Sequence, residues 1–162
     1  MAKNINFDQS LSKAEQYAML YPQIRELVSK EEDLIANSAN IVAVLKQCFG
    51  FFWVGVYFAD SEYELVLGPF QGPVACTRIK KGRGVCGTAW EQKQTIIVPD
   101  VEQFPGHIAC SSLSKSEIVV PVFDQDNNVL MVIDVDSEEL NTFDDTDREW
   151  LERIAGLITE KI

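Results

Sequence analysis

Apolar residues recur at helical spacing at both ends of the chain and at strand spacing between them. Residues 8–28 are typical of a helix that Pro22 breaks or kinks near its middle. Residues 31–47 predict a second helix, whose apolar stripe comprises Leu34, Ser38, Ile41, Leu45 and Cys48. Residues 143–162 predict a C-terminal helix with Asp144 as its N-cap, and its buried face comprises Trp150, Ile154, Leu157 and Ile158.

Between the terminal helices the hydrophobic pattern changes to that of strands. FFWVGVYFA at 51–59 predicts a first strand, YELVLG at 63–68 its hairpin partner, ACTRIK at 75–80 a third strand and TIIV at 95–98 a fourth. GRGVCGTAWEQ at 82–92 begins glycine-rich and ends as a short helix. EIVVPVFD at 117–124 and VLMVIDVDS at 129–137 form a further hairpin around QDNN. This order predicts an α+β fold with a central, mostly antiparallel sheet of about six strands.

Composition and charge narrow the choice of partners. The chain has 162 residues, of which 46% are hydrophobic and 24% charged, and this suits a single domain spanning 1–162. The net charge of −11 disfavours nucleic acid and anionic membranes, and favours a cationic or zwitterionic small ligand. No apolar run is long enough to span a bilayer and no signal peptide opens the chain, so we expect a cytoplasmic protein.

The four cysteines differ in their settings. Cys48 lies on the apolar stripe of the second helix and is expected to be a core residue. Cys76 is predicted to lie on a strand. Cys86 lies where a glycine-rich turn enters a helix, a position that favours the thiolate. Cys110 lies in the polar loop 100–116 near His107 and Lys115, which also favour the thiolate.

Several readings of these thiols stay open at this point. Cys76, Cys86 and Cys110 could be three unrelated thiols in a reducing compartment. With His107 they could form a Cys₃His zinc set, although no pair has the short spacing of structural zinc sites. A Cys–His hydrolase is also conceivable, but no triad motif supports it.

Three acidic residues interrupt the apolar hairpin near the C-terminus. In VIDVDS, strand geometry places Asp134 and Asp136 on one face, and Glu117 opens the partner strand. Acids at strand ends are usually solvated. Acids that crowd one another in apolar surroundings have raised pKa values, so one of the three could stay protonated near neutral pH and act as a general acid.

The chain resembles the free methionine-(R)-sulfoxide reductases, which are stand-alone GAF-domain enzymes. The resemblance lies in the three cysteines at that family's spacing and in the segments HIACSSLSKSEIVVPVF, VIDVDS, WVGVYF, LGPFQGP and GRGVCGTAW, and spans about 14–158. It implies a GAF-like fold, with the N- and C-terminal helices on one sheet face and the active-site loops on the other. It is also compatible with a homodimer.

The resemblance further implies a role for each site residue. Cys110 would be the nucleophile, and Cys86 or Cys76 would resolve its sulfenic acid through a disulfide. Glu117, together with Asp134 and Asp136, would stabilise or protonate the sulfoxide oxygen. The remaining residues expected to bind substrate with it are Trp53, Tyr57, Asp134 and Asp136. The implied substrate is free methionine sulfoxide, the implied reductant is an external dithiol such as thioredoxin, and no resident cofactor or metal is expected.

A GAF fold alone would not establish catalysis, because such domains serve many functions. The alternative from another class is a sensory module that binds a small ligand or reports redox state through its cysteines. A zinc-binding structural domain is a third reading, which metal analysis would test.

Overall fold

The computed structural model describes residues 4–108 and 110–161 as one antiparallel sheet with helices on both faces. The helices are α1 (Lys13–Val28), α2 (Leu34–Phe49), α3 (Gly84–Gln92) and α4 (Asp145–Thr159). The strands are β1 (Trp53–Ala59), β2 (Glu64–Gln71), β3 (Arg78–Lys80), β4 (Ile96–Val98), β5 (Ser116–Phe123) and β6 (Val129–Ser137), and a single 3₁₀ turn covers Val101–Gln103. The strand order is β3-β2-β1-β6-β5-β4. The predicted α+β fold and its antiparallel sheet are confirmed.

One face of the sheet packs against α1, α2 and α4. The inward side chains alternate along the strands, as in Ile118, Val120 and Val122 of β5. Cys48 is buried in this layer, as predicted from its place on the apolar stripe of α2. The other face packs against α3 and the loops that flank it, where Cys86 and Val119 are buried. The terminal helices and the loops are therefore on opposite faces, as expected.

Capping side chains fix the ends of the helices. Ser12 and Glu15 form a capping box at the start of α1, so this helix begins at Lys13 and not near residue 8 as predicted. Asp144 caps α4 as predicted, in a capping box with Asp147. Asp147 is buried and also accepts hydrogen bonds from Tyr17 (2.9 Å) and Lys13 (2.6 Å), which ties α1 to α4.

Two sequence predictions about local structure are wrong. Pro22 does not break α1, which continues to Val28, whereas a kink at Pro22 stays a prediction. Pro22 and Ala18, whose carbonyl loses its helical donor, are both exposed, so water can take the place of that donor. The third strand is only Arg78–Lys80, since Gly72 and Pro73 end β2 and the chain runs irregularly to residue 77. Cys76 therefore lies in the β2–β3 loop and not on a strand.

Over the described residues, no helix combines the length and the hydrophobicity that crossing a lipid bilayer requires.

Candidate active site

Three neighbouring strands bring the predicted site residues into register on the α3 face of the sheet. Trp53 of β1 pairs with Asp136 of β6, and Asp136 pairs in turn with Glu117 of β5. Asp134 lies two residues earlier on β6 and points to the same face. The alternation read from VIDVDS is thus confirmed, and the hairpin register places Glu117 beside both aspartates.

Glu117, Asp134 and the Cys86 thiol form a buried cluster. Glu117 is 6% exposed and Asp134 is 7% exposed. The Cys86 sulfur and one carboxylate oxygen from each acid all lie within 4.8 Å of one another. The Oδ1 atom of Asp134 is buried without a hydrogen-bond partner among the described residues. The cluster therefore presents one unsatisfied acceptor.

Burial and mutual repulsion raise the pKa values of this cluster. Burial raises the pKa of Glu117 well above its usual range, and the charges of Asp134 and Asp136 raise it further. Burial and the charge of Asp136 also raise the pKa of Asp134. Because two neighbouring charges act on Glu117 and one acts on Asp134, we place the proton of this pair on Glu117. The surroundings thus favour the protonated form of one predicted acid.

Asp136 differs from the other two acids. Burial raises its pKa to about 6, and a hydrogen bond donated by Ser114 opposes that rise. It is therefore mostly ionised at pH 7, while Glu117 beside it keeps its proton. Ser114 was not singled out from the sequence, because a serine among four in one loop carries no signal without the fold.

The Cys86 thiol does not have the reactivity that its sequence position suggested. Cys86 does lie in the first turn of α3. However, burial and the negative charge of the Asp134–Glu117 pair, which holds one proton between its two carboxyl groups, raise its pKa well above the usual range. The helix N-terminus, whose effect on a charge is on the order of 1 kcal/mol, is outweighed by burial and two acids. The prediction of a thiolate at Cys86 is therefore wrong.

Cys76 and Cys110 are joined in a disulfide with a Cα–Cα distance of 5.6 Å. The bond connects the β2–β3 loop to the loop that precedes β5. Cys110 is exposed and Cys76 is half-buried, whereas Cys86 and Cys48 are free and buried. Of the two pairings left open by the sequence, this structure contains Cys110 with Cys76.

Two aromatic residues of β1 hold the loop that carries Cys76. The Trp53 indole donates to the Pro73 carbonyl (3.1 Å), and the Tyr57 hydroxyl donates to the Cys76 carbonyl (2.9 Å). The Trp53 ring lies over Gly55, where an added methyl group would be only 2.2 Å from Cη2. Both aromatics were expected to bind substrate. They line the pocket, and their polar atoms anchor the loop.

His107, the only histidine of the chain, lies at the pocket wall. Its Nε2 is 4.0 Å from Oε2 of Glu117, which is beyond hydrogen-bond distance. Burial lowers its pKa, so the imidazole is neutral at pH 7. The alternative of a Cys₃His zinc set is not assembled here, because Cys76 and Cys110 are bonded to each other.

With the exception of Cys76, these groups line one pocket between the sheet and the two loops. Its mouth carries the disulfide, and its floor carries the acids. The Cys110 sulfur thus lines the same pocket as one protonated and one ionised carboxyl group, an arrangement that can deliver a proton and bind a cation.

Comparisons with known proteins place the chain in a family. A family model described as GAF domain matches residues 30–162. A Dictyostelium discoideum relative, GAF domain-containing protein A, is 60% identical and covers 98% of this chain and 99% of its own. The free methionine-R-sulfoxide reductase of Saccharomyces cerevisiae is 40% identical and covers 98% of this chain and 92% of its own. The chain belongs to the free methionine-R-sulfoxide reductase family.

A solved member of this family has the same architecture. The free methionine-R-sulfoxide reductase of Neisseria meningitidis, crystallised in complex with its substrate, superimposes with a TM-score of 0.94. It is 51% identical, and the match covers 98% of this chain and 94% of that one. The family named from the sequence motifs is therefore confirmed, and the site described above lies within the matched region.

Proposed function

We propose that the protein reduces free L-methionine (R)-sulfoxide to methionine with its own thiols as reductant. The observation that carries the proposal is the exposed Cys110, bonded to Cys76 across the mouth of a pocket whose floor is a protonated Glu117. The names of relatives that span the whole chain support the same reaction.

In the first step the Cys110 sulfur attacks the sulfur of the bound sulfoxide. The sulfoxide oxygen must gain a proton before the S–O bond can break, and the raised pKa of Glu117 keeps a proton available. The oxygen is transferred to Cys110, which becomes a sulfenic acid, while methionine leaves with its sulfur reduced by two electrons. The proton that the Cys110 thiol loses on attack replaces the one that Glu117 gives to the sulfoxide oxygen, so Glu117 is protonated again at the end of this step.

Cys76 then attacks the sulfenic acid of Cys110. The new S–S bond forms as the S–OH bond breaks, and the hydroxyl leaves as water with the proton of the Cys76 thiol. The 5.6 Å Cα separation satisfies the geometric requirement for this bond. Cys86, which the sequence left as an alternative, is buried against Asp134 with a raised pKa, so we assign resolution to Cys76.

The ionised acid accounts for the choice of a free amino acid. Asp136 has a pKa of about 6, so it carries negative charge at pH 7 and can bind the α-ammonium of the substrate. A methionine sulfoxide within a peptide has no such charge. Trp53 offers an apolar ring surface for the methyl group beside the reacting sulfur.

An external dithiol must reduce the disulfide before the next turnover, and we propose thioredoxin in this role. Two protons and two electrons pass from the reductant to Cys76 and Cys110, which regenerates both thiols. No resident metal or cofactor takes part in this scheme.

The decisive test follows methionine formation with two reductants. We expect turnover of free methionine sulfoxide with NADPH, thioredoxin and thioredoxin reductase, and also with dithiothreitol. The Cys110→Ser variant should be inactive with either reductant, while Cys48→Ala, the matched buried cysteine, should keep its activity. Absence of turnover with both reductants would reject the enzyme and favour a redox-sensing GAF module. Near-wild-type activity of folded Cys110→Ser would instead reject Cys110 as nucleophile.

A further inference from the structure

The exposed apolar side chains are concentrated around the disulfide. Six large apolar side chains are exposed among the described residues, namely Ile35, Tyr63, Val74, Ile108, Leu113 and Leu140. Val74 is 87% exposed and lies two residues before Cys76. Ile108 and Leu113 are 36% and 55% exposed, and they lie two residues before and three after Cys110. We call Val74, Ile108 and Leu113 the disulfide rim.

Chain geometry keeps the rim close to the bond. Residues two or three positions apart are separated by at most about 11 Å, even in a fully extended chain. The two cysteine Cα atoms are 5.6 Å apart, so the three rim residues surround one small area of surface. Single exposed apolar side chains are ordinary, but a group of them around a reactive bond is typical of an interaction site.

The two chain segments that carry the rim residues are cationic, although the protein as a whole is acidic. The net charge is −11, yet residues 71–90 and 103–116 contain no Asp or Glu. They contain five of the fourteen Lys and Arg residues, namely Arg78, Lys80, Lys81, Arg83 and Lys115. Arg78 is paired with Asp60 and Glu64, whereas Arg83 and Lys115 form no ion pair with any described residue. A partner with an anionic surface is therefore favoured next to the rim.

We propose that the disulfide rim is the docking surface for the dithiol protein that reduces the Cys76–Cys110 bond. This inference rests on the proposed function, because only a catalytic disulfide needs a reductant in every cycle. The partner that fits has an apolar surface around its reactive thiol and negative charge at the margin. Of the two bonded cysteines, the exposed Cys110 is the one that such a surface can approach more readily.

The chemistry on this surface is thiol–disulfide exchange. A thiolate of the partner forms a bond to one cysteine sulfur, and the S–S electron pair leaves on the other as a thiolate. The second thiol of the partner then attacks the mixed disulfide. The partner leaves oxidised by two electrons, and its two protons end on Cys76 and Cys110. Small dithiols can perform the same exchange without the rim, so they separate docking from chemistry.

The test compares thioredoxin and dithiothreitol as reductants at saturating methionine sulfoxide. We expect Val74→Ser and Leu113→Ser each to lower kcat/KM for thioredoxin by about fivefold, the loss for a contact residue that contributes about 1 kcal/mol. Because Val74 also lines the substrate pocket, Leu113→Ser tests docking alone. For each variant the ratio of thioredoxin-supported to dithiothreitol-supported turnover should fall by a similar factor. Ile35→Ser is the matched control, because Ile35 is an exposed apolar residue of α2, which packs on the opposite sheet face.

Charge gives an independent test of the same surface. Raising the ionic strength from 50 to 300 mM should lower kcat/KM for thioredoxin severalfold but leave uncharged dithiothreitol unaffected. Arg83→Glu or Lys115→Glu should reproduce that loss at low salt. An unchanged ratio of the two reductants in all of these variants would overturn the proposal, as would turnover supported by dithiothreitol but by no dithiol protein. Failure of both reductants would instead overturn the proposed function.

Discussion

Replacing Asp136 by Asn tests how the pocket recognises a free amino acid. The substitution keeps the shape of the side chain and can still accept the hydrogen bond from Ser114, but it removes the charge that would bind the α-ammonium. The carboxyl proton of Glu117 remains in place, and so does the thiol of Cys110. The expected defect is therefore in substrate binding and not in chemistry.

The size of the defect follows from the kind of contact that is lost. A hydrogen bond to a charged group contributes about 1.5–3 kcal/mol. Asp136 is half-buried, so the contact is neither fully screened by water nor fully desolvated. At about 1.4 kcal/mol per factor of ten, kcat/KM for free methionine sulfoxide should fall by roughly 10-fold to 150-fold. The penalty for N-acetylmethionine sulfoxide should shrink in the variant, because the acetylated substrate never had that contact.

The pH dependence of binding identifies the charged group. Substrate affinity is measured in the Cys110→Ser background, which binds but cannot react. Because the pKa of Asp136 is raised to about 6, affinity should fall about tenfold per pH unit below pH 6 and level off above it. Asp136→Asn should flatten this profile between pH 5 and 7.5.

Two controls make the pH test specific. His107→Gln should keep the rise in substrate affinity near pH 6. His107 is the relevant control because it is a titratable group that lines the pocket, and burial lowers its pKa. Glu138→Gln, at an exposed acid just beyond β6, should change neither affinity nor selectivity. If Asp136→Asn retains both the full preference for free substrate and the pH profile, recognition of the ammonium by Asp136 is wrong. Selectivity would then come from enclosure by the loops.

Further variants test other parts of the structure. Glu117→Gln should lower kcat by about 10²-fold to 10⁴-fold with a smaller change in KM, since the proton donor is lost while the packing stays, and single-turnover assays would show it. Cys48→Ala should leave turnover unchanged and lower Tm by a few degrees, because only a buried sulfur in the helical layer is removed. Gly87→Ala should unfold the protein or lower its Tm steeply, since its methyl group would lie 2.3 Å from the Lys80 carbonyl oxygen. Gly156→Ala, in open space within α4, should raise stability by about 0.5–1 kcal/mol.

Local patterns predicted the parts of the site that depend on strand periodicity. VIDVDS placed Asp134 and Asp136 on one face because side chains alternate along any strand. The hairpin around QDNN then determined which residue faces Asp136, and that residue is Glu117. The Asp144 cap was also predictable from a local pattern, since capping involves only residues in the first turn of the helix.

Features that depend on packing between distant segments were not predictable. ACTRIK has the composition of a strand, yet β2 offers it only three pairing residues, so Cys76 remains in a loop where it meets Cys110. Cys86 has the sequence setting of a reactive thiol, but the acids that raise its pKa come from β5 and β6. Which of these cysteines pairs with Cys110 is therefore a property of the assembled fold.

The acids that make the site chemically useful also make it unstable, and the fold offsets this by holding a proton there. Three carboxyl groups on adjacent strands would repel one another if all were ionised. Raised pKa values mean that folding favours their protonated forms, so this contribution to stability is complete below their unfolded pKa near 4 and is lost as pH rises through the folded values. For Asp136 that loss falls between pH 4 and about 6. A bound substrate ammonium would neutralise the charge that Asp136 gains in this pH range. The site is therefore least stable when it is empty and at neutral pH, which is also the state in which it can bind the ammonium group of the substrate.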